Sequence, residues 1–419
     1  MVINFIVLAF FIFAFFLSCR YGFMQFRAFK ETSKVLLKEK NKSAYSTFLV
    51  SLASHVGTGN IIGIATALIY GGPGSIFWMW IFTIFSSIFS LIENTLAQVF
   101  KVKINDENRG GASFYIKYGF GNKFLSIIYS VFFLLSHTVF FQPLQINTVS
   151  EALQIVFGLD KLIILLLLFI FTYFIIFQGT KRIVRFCEHI VPIMGIGYIA
   201  ITSLIIILNI KLLPGVFEEI FRSAFKRESL FGGTAASCMI IGFKRSLYSN
   251  EAGLGTVPSI SAMAEPKKPL SQGYVQVIGV FIDTIVICSL SGLVILIYQI
   301  EFSSFQGVDL IISIFRRILG DFGTYVALFF LLTFAIATVV SQFYIGESNL
   351  LFMTSKKQKI CLALYKLLFL LGIVIGVNLP TKSIFTFVDQ GLILLGCVNL
   401  YALFRLRKVF KNEIKNFYN

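Results

Sequence analysis

Charge is scarce in this chain: Asp, Glu, Lys and Arg make up 13% of 419 residues, against 57% hydrophobic, and the mean hydropathy is +0.85. A water-soluble globule of that composition would lack the polar residues to cover its surface. Histidine is limited to three residues and proline to eight, and the six cysteines are scattered with no C-x-x-C spacing, so they read as small hydrophobes and not as disulfides or metal ligands. The sequence has no nucleotide-binding loop, no H-E-x-x-H pattern and no nucleophile with a base at informative spacing, which argues against an enzyme. No polar stretch is long enough to build an independent soluble domain.

Long apolar runs fill the remainder. Stretches of roughly 18 or more residues, long enough to cross the hydrocarbon of a bilayer, recur throughout and predict an all-α integral membrane protein. Eleven spans are expected, near 2–19, 44–69, 75–100, 122–157, 161–178, 188–209, 231–260, 271–299, 322–352, 358–377 and 383–405. The 122–157 block is long for one helix and contains Pro143, so it predicts either a steep tilt or a broken pair. The first 19 residues carry no basic n-region and no small-x-small cleavage site, so they read as a retained anchor.

The net charge of +16 does not point to nucleic acid, because the basic residues fall in alternate loops. The segment 20–43, "KVKINDENR", "KRIVR", "EPKK", "KKQK" and the tail "RLRKVFKNEIK" all lie on one side in the eleven-span scheme. The positive-inside bias makes that side cytoplasmic in a cell membrane, with the N-terminus outside and the C-terminus inside. The segments are then an extra helix and loop over 1–43, five-helix sets over 44–209 and 231–407, and a basic tail over 408–419. Five is odd, so the two sets run in opposite orientation. Inverted repeats of this kind build secondary transporters, whose sites form near the midplane where helices are broken.

"SHVGTGNIIG", residues 54–63, is the candidate break. Gly57, Gly59 and Gly63 let a membrane helix unwind where a ligand or water meets the freed backbone groups. Thr58 and Asn60 add a hydroxyl and an amide at the same depth, and an amino acid zwitterion needs both donors and acceptors. Close packing through Gly59 and Gly63 is the alternative. In the second set, "FGGTAASCMIIGFKRSLYSNEAGLGTVP" carries Lys244, Arg245, Asn250, Glu251, Gly253 and Gly255. It reads either as a functional charged element or as a cytoplasmic connector, with a gating or structural role in both cases. Asp283 and Glu93, within spans, are proton-relay or pairing residues, and pairing is favoured. His55 adjoins the break and reads as a buried, satisfied histidine sooner than as a titrating group.

The blocks "VGTGNIIGIATALIYGGPGSIFWMW", "QINTVSEAL", "SNEAGLGTVP", "QGYVQVIGVFIDTIVI" and "FAIATVVSQFYIGE" resemble, in order and spacing, the alanine or glycine:cation symporter family, from about Gln25 to Leu406. The resemblance implies a five-plus-five inverted repeat like the bacterial leucine transporter, preceded by one extra N-terminal helix. It also implies uptake of a small neutral amino acid driven by Na⁺ as coupling ion, with no other cofactor. On that basis Thr58, Gly59 and Asn60 would hold the substrate's charged ends, with Gln145 and Phe385 facing the same cavity. Carbonyls of Ala53, Val56 and Phe334 and the Thr338 hydroxyl would hold the cation, and Asn250, Glu251, Gly253 and Asp283 would gate or brace. The sequence departs from the family at Ala337-Thr338, where Ser-Thr is usual, and at Phe385, four residues before Asp389, where Trp is common. Ser75, Ser86 and Ser246 also depart from its glycine-rich blocks. A proton-coupled or uncoupled amino acid carrier or channel is the alternative function.

Overall fold

The computed structural model describes residues 2–177, 179–225, 238–298, 307–354 and 358–419. Among these residues the fold is helical apart from one short hairpin. Among the described residues eight single helices are long and apolar enough to span a membrane, and a ninth span is a pair, Lys42–His55 with Thr58–Gly71, bent by 58° at its break. Two of the eleven expected spans differ. Lys161–Ile175 is a shorter apolar helix of 15 residues, and the span expected over 231–260 begins outside the described residues and reappears as the helix Cys238–Asn250.

The broken span lies at the centre. Asn41 starts it by accepting from the Ala44 N–H at 3.0 Å. The first half ends at His55, and Gly57 is extended (φ −120°, ψ −165°) before a single turn over Thr58–Asn60. The Gly57 N–H turns back to the His55 carbonyl (2.9 Å) and to Asn60 Oδ1 (3.2 Å). It is therefore not donated to Ala53, whose carbonyl is left for another partner.

The 122–157 block resolves as one continuous helical stretch, Lys123–Phe157, with a widened turn over Ser136–Phe141 immediately before Pro143. Proline supplies no N–H and crowds the carbonyl four residues back, and one wide turn absorbs both effects without breaking the helix. Gly372 lies against that turn, where a Cβ would stand 2.2 Å from the Thr138 carbonyl, and Gln142 Nε2 donates to the Phe369 carbonyl at 2.9 Å. The wide turn thus seats the helix Gln358–Asn378.

The helix Cys238–Asn250 packs along Gly74–Val99, with Gly242 close to the Ser75 carbonyl. "KRSLYSN" is therefore helix and not a connector, with Ser246–Asn250 buried and Lys244 and Arg245 half-buried. The helix stops at Asn250, and the chain turns through Glu251, Gly253 and Gly255, all at positive φ (52°, 91° and 78°). Glu93 holds this turn: its carboxylate accepts from the N–H groups of Gly253 (3.2 Å) and Gly255 (3.1 Å) and from Asn399 Nδ2 (2.7 Å). Pairing, the favoured reading of Glu93, is here to amides and not to a cation.

The one hairpin, Val102–Ile104 with Glu107–Arg109, turns on Asn105-Asp106, both at positive φ. It carries Arg109 inward to Glu107 (2.5 Å) and Glu347 (3.3 Å), with its guanidinium 4.6 Å from the Tyr344 ring centroid, and so ties this loop to the helix Asp321–Met353.

Candidate functional site

Three elements meet at the break. From the helix Asp321–Met353, Thr338 Oγ1 donates to the Ala53 carbonyl at 2.9 Å and lies 3.5 Å from the Val56 carbonyl. Phe334, one turn earlier on the same helix, is fully buried. From the helix Gln142–Phe157, Gln145 Oε1 accepts from both the N–H (3.0 Å) and the hydroxyl (2.8 Å) of Thr58, while its Nε2 donates to the Tyr248 hydroxyl at 3.2 Å. Two carbonyls at the end of a half-helix, a hydroxyl facing them, and an amide bonded to the unwound backbone lie within one small volume. Such oxygens suit a hard monovalent cation and need no formal charge to do so.

Each glycine of the break has a distinct neighbour. A Cβ on Gly57 would stand 2.5 Å from Thr338 Oγ1 and 3.2 Å from Gln145 Oε1, and one on Gly59 would stand 2.6 Å from Tyr248 Cε1. At Gly63 the nearest atom is Tyr248 Cδ1, at 3.8 Å. Gly57 and Gly59 are thus required by close approach, and Gly63 is not.

Asn60 has internal partners. Its Nδ2 donates to Asp283 Oδ1 (2.5 Å) and to the Asp283 carbonyl (3.2 Å), and its Oδ1 accepts from Gly57. Asp283 also accepts from Ser249 Oγ (2.5 Å) and Thr284 Oγ1 (2.8 Å). Asn250 Nδ2 reaches Ser246 (3.1 Å), Thr83 (3.3 Å) and Thr284 (3.3 Å), so Asn60, Ser249, Asn250 and Asp283 form one polar web bracing the break against the helix Cys238–Asn250 and the wide turn Phe281–Cys288.

Two spaces flank this web. A cavity of about 10 Å³ is lined by residues of the break together with Gln145, Tyr248, Glu251, Thr338 and Gln342. A cleft of about 750 Å³ is lined by Tyr70, Glu151, Lys244, Arg245, Phe385 and Asp389, among others. Tyr248 and Phe385 stand between them, their rings edge to face at 6.0 Å. The Arg245 guanidinium lies 4.7 Å over Phe385 and donates to Asp389 Oδ1 at 2.8 Å, with Lys244 3.9 Å from the other carboxylate oxygen. Phe385 thus lines the large cleft and packs on Tyr248, which in turn faces Gly59. Tyr248 is a site residue that the sequence reading passed over, although an aromatic beside a run of charges, opposite glycines one helical turn apart, was a signal for it.

A profile of the sodium:alanine symporter family matches residues 1–419. The chain belongs to this family. The amino-acid carrier protein AlsT of Bacillus subtilis is 34% identical over 96% of this chain and 87% of its own length. The sodium/alanine symporter AgcS of Methanococcus maripaludis is 31% identical, covering 96% and 94% respectively. Among solved structures, MhsT in complex with L-phenylalanine superposes with a TM-score of 0.62 at 15% identity, over 84% of this chain and 87% of that one. At that identity the likeness establishes the fold, and it is the leucine-transporter fold that the resemblance implied.

Proposed function

We propose that this symporter imports a small neutral amino acid, alanine or glycine, together with Na⁺ by alternating access, and that it is not an enzyme. The observation that carries the reading is Thr338 facing the Ala53 and Val56 carbonyls at the end of a broken half-helix, with Gln145 and Thr58 beside them. Na⁺ would sit against Ala53, Val56, Phe334 and Thr338, the hydroxyl turning its hydrogen away from the Ala53 carbonyl so that a lone pair faces the ion. The amino acid would lie next to it against Thr58, Gly59, Asn60 and Gln145, competing with the internal hydrogen bonds described above. Tyr248 would have to swing away to admit it, because its ring lies so close to Gly59 that a Cβ there would stand 2.6 Å from Cε1.

By the positive-inside pattern the N-terminus and the large cleft would lie outside and the C-terminus in the cytoplasm of a cell membrane. Arg245, Asp389 and Phe385 then form an outer gate, and the sets 44–209 and 231–407 move against each other about the site. Asn250, Glu251, Gly253 and Asp283 brace the moving break. Thr338→Val tests the cation assignment. The expected result is loss of Na⁺ stimulation of alanine uptake with normal membrane insertion, and unchanged Na⁺ stimulation would place the ion elsewhere.

A further inference from the structure

The small cavity at the break holds more polar chemistry than the assigned ligands use. Glu251 Oε2, Gln342 Oε1, Ser54 Oγ and both ring nitrogens of His55 are buried without a hydrogen-bond partner, and all four residues line it. None is more than 3% exposed. Buried polar atoms in native proteins almost always have partners, so several unpaired around one space mark something that the space receives.

The space and the atoms limit what that is. A volume of about 10 Å³ takes one water or one small ion and excludes an amino acid. Glu251 Oε2 and Gln342 Oε1 can only accept unless the carboxyl is protonated, so two acceptors face one gap. Among the described residues Glu251 has no ion-pair partner. His55 opens on the same cavity but lies beyond ion-pair distance; the neighbours that act on Glu251 are the neutral Thr256 hydroxyl and the Asp283 carboxylate, which is of the same sign. Water would satisfy the hydrogen bonds and leave the charge uncompensated, which is costly in a buried site. A proton would neutralise the carboxylate but could bridge to one acceptor only. A hard monovalent cation does both, and carboxylate, amide carbonyl and hydroxyl oxygens are the ligands it prefers.

We infer that this cavity is a second cation position, with Glu251 as its carboxylate ligand and the Gln342 amide oxygen and Ser54 hydroxyl beside it. Gln342 follows Thr338 by four residues on one helix, Ser54 follows Ala53, and Thr338 itself lines the cavity, so the second position adjoins the first. Two cations per cycle would then be carried, one held by backbone carbonyls and Thr338 and one by a side-chain carboxylate.

The inference rests on Na⁺ coupling, and equilibrium binding of ²²Na⁺ to the purified protein separates the two. The wild type is expected to bind two Na⁺, Glu251→Gln one, and Thr338→Val one. Gln342→Met, which keeps Glu251, is expected to weaken the second site roughly tenfold; it serves as the independent variant if Glu251→Gln does not fold. Equal binding by the wild type and both cavity variants, with Thr338→Val still losing an ion, overturns the second site and leaves Na⁺ coupling standing. No binding by the wild type overturns both. Unchanged Na⁺ binding by Glu251→Gln together with loss of uptake driven by a pH gradient makes Glu251 a proton carrier and likewise overturns the cation site.

Discussion

Gly57→Ala is the sharpest probe of the break because the backbone there tolerates alanine and the surroundings do not. Its φ of −120° and ψ of −165° are ordinary extended values, so no conformational strain enters. The new methyl would stand 2.5 Å from Thr338 Oγ1, against the roughly 3.4 Å that such a contact needs, so Thr338 must retreat by about 0.9 Å. Its hydroxyl then leaves the Ala53 carbonyl, now 2.9 Å away. Overpacking costs about 1–3 kcal/mol and the lost hydrogen bond about 1 kcal/mol. If about 2 kcal/mol of that falls on the cation-binding geometry, the half-saturation for Na⁺ rises roughly 30-fold. Gly63→Ala is the internal control, since its nearest neighbour would be at an ordinary 3.8 Å. The assay is Na⁺-dependent uptake of labelled alanine into proteoliposomes containing each variant. Equal Na⁺ dependence in Gly57→Ala, Gly63→Ala and the wild type would refute the reasoning.

Other variants test other parts. Asn60→Leu removes a donor from Asp283 and an acceptor from Gly57, so binding of labelled alanine should be lost and the melting temperature should fall as well; normal binding would put the substrate elsewhere. Glu93→Gln turns an acceptor of three donors into a group that must aim an amide N–H at one of them, and should destabilise the purified protein by about 1–3 kcal/mol in thermal melts. Arg245→Ala and Asp389→Ala should each impair uptake, and the double variant should be impaired less than the sum of the two, because either single change already removes the half-buried ion pair that they share. Ala337→Ser restores the hydroxyl usual in the family and should lower the Na⁺ half-saturation about fivefold, read from the same uptake assay.

The broken span was legible because three glycines and two small polar residues interrupt an apolar run, a local signal that periodicity exposes. What Asn60 touches was not, because its partner Asp283 lies 223 positions away and only folding brings them together. The same holds for Glu93, whose neighbours Gly253 and Asn399 come from the turn after Asn250 and from the helix Thr381–Arg405. Pro143 announced an irregularity but not its form: nothing local distinguishes a kink from the wide turn at Ser136–Phe141, which depends on Gly372 packing against it. The hairpin at 102–109 is legible in the Asn105-Asp106 turn, since these two residue types tolerate positive φ. Ser54 and Gln342 stayed hidden, since a side chain's direction into a cavity leaves no mark on composition.

Coupling is the claim on which the rest depends. Uptake of labelled alanine into proteoliposomes should be followed with an inward Na⁺ gradient, a pH gradient alone, or neither, for the wild type and Thr338→Val. Accumulation is expected with the Na⁺ gradient alone and its loss in Thr338→Val. Accumulation driven by the pH gradient, indifferent to Na⁺ and to Thr338→Val, would contradict the account.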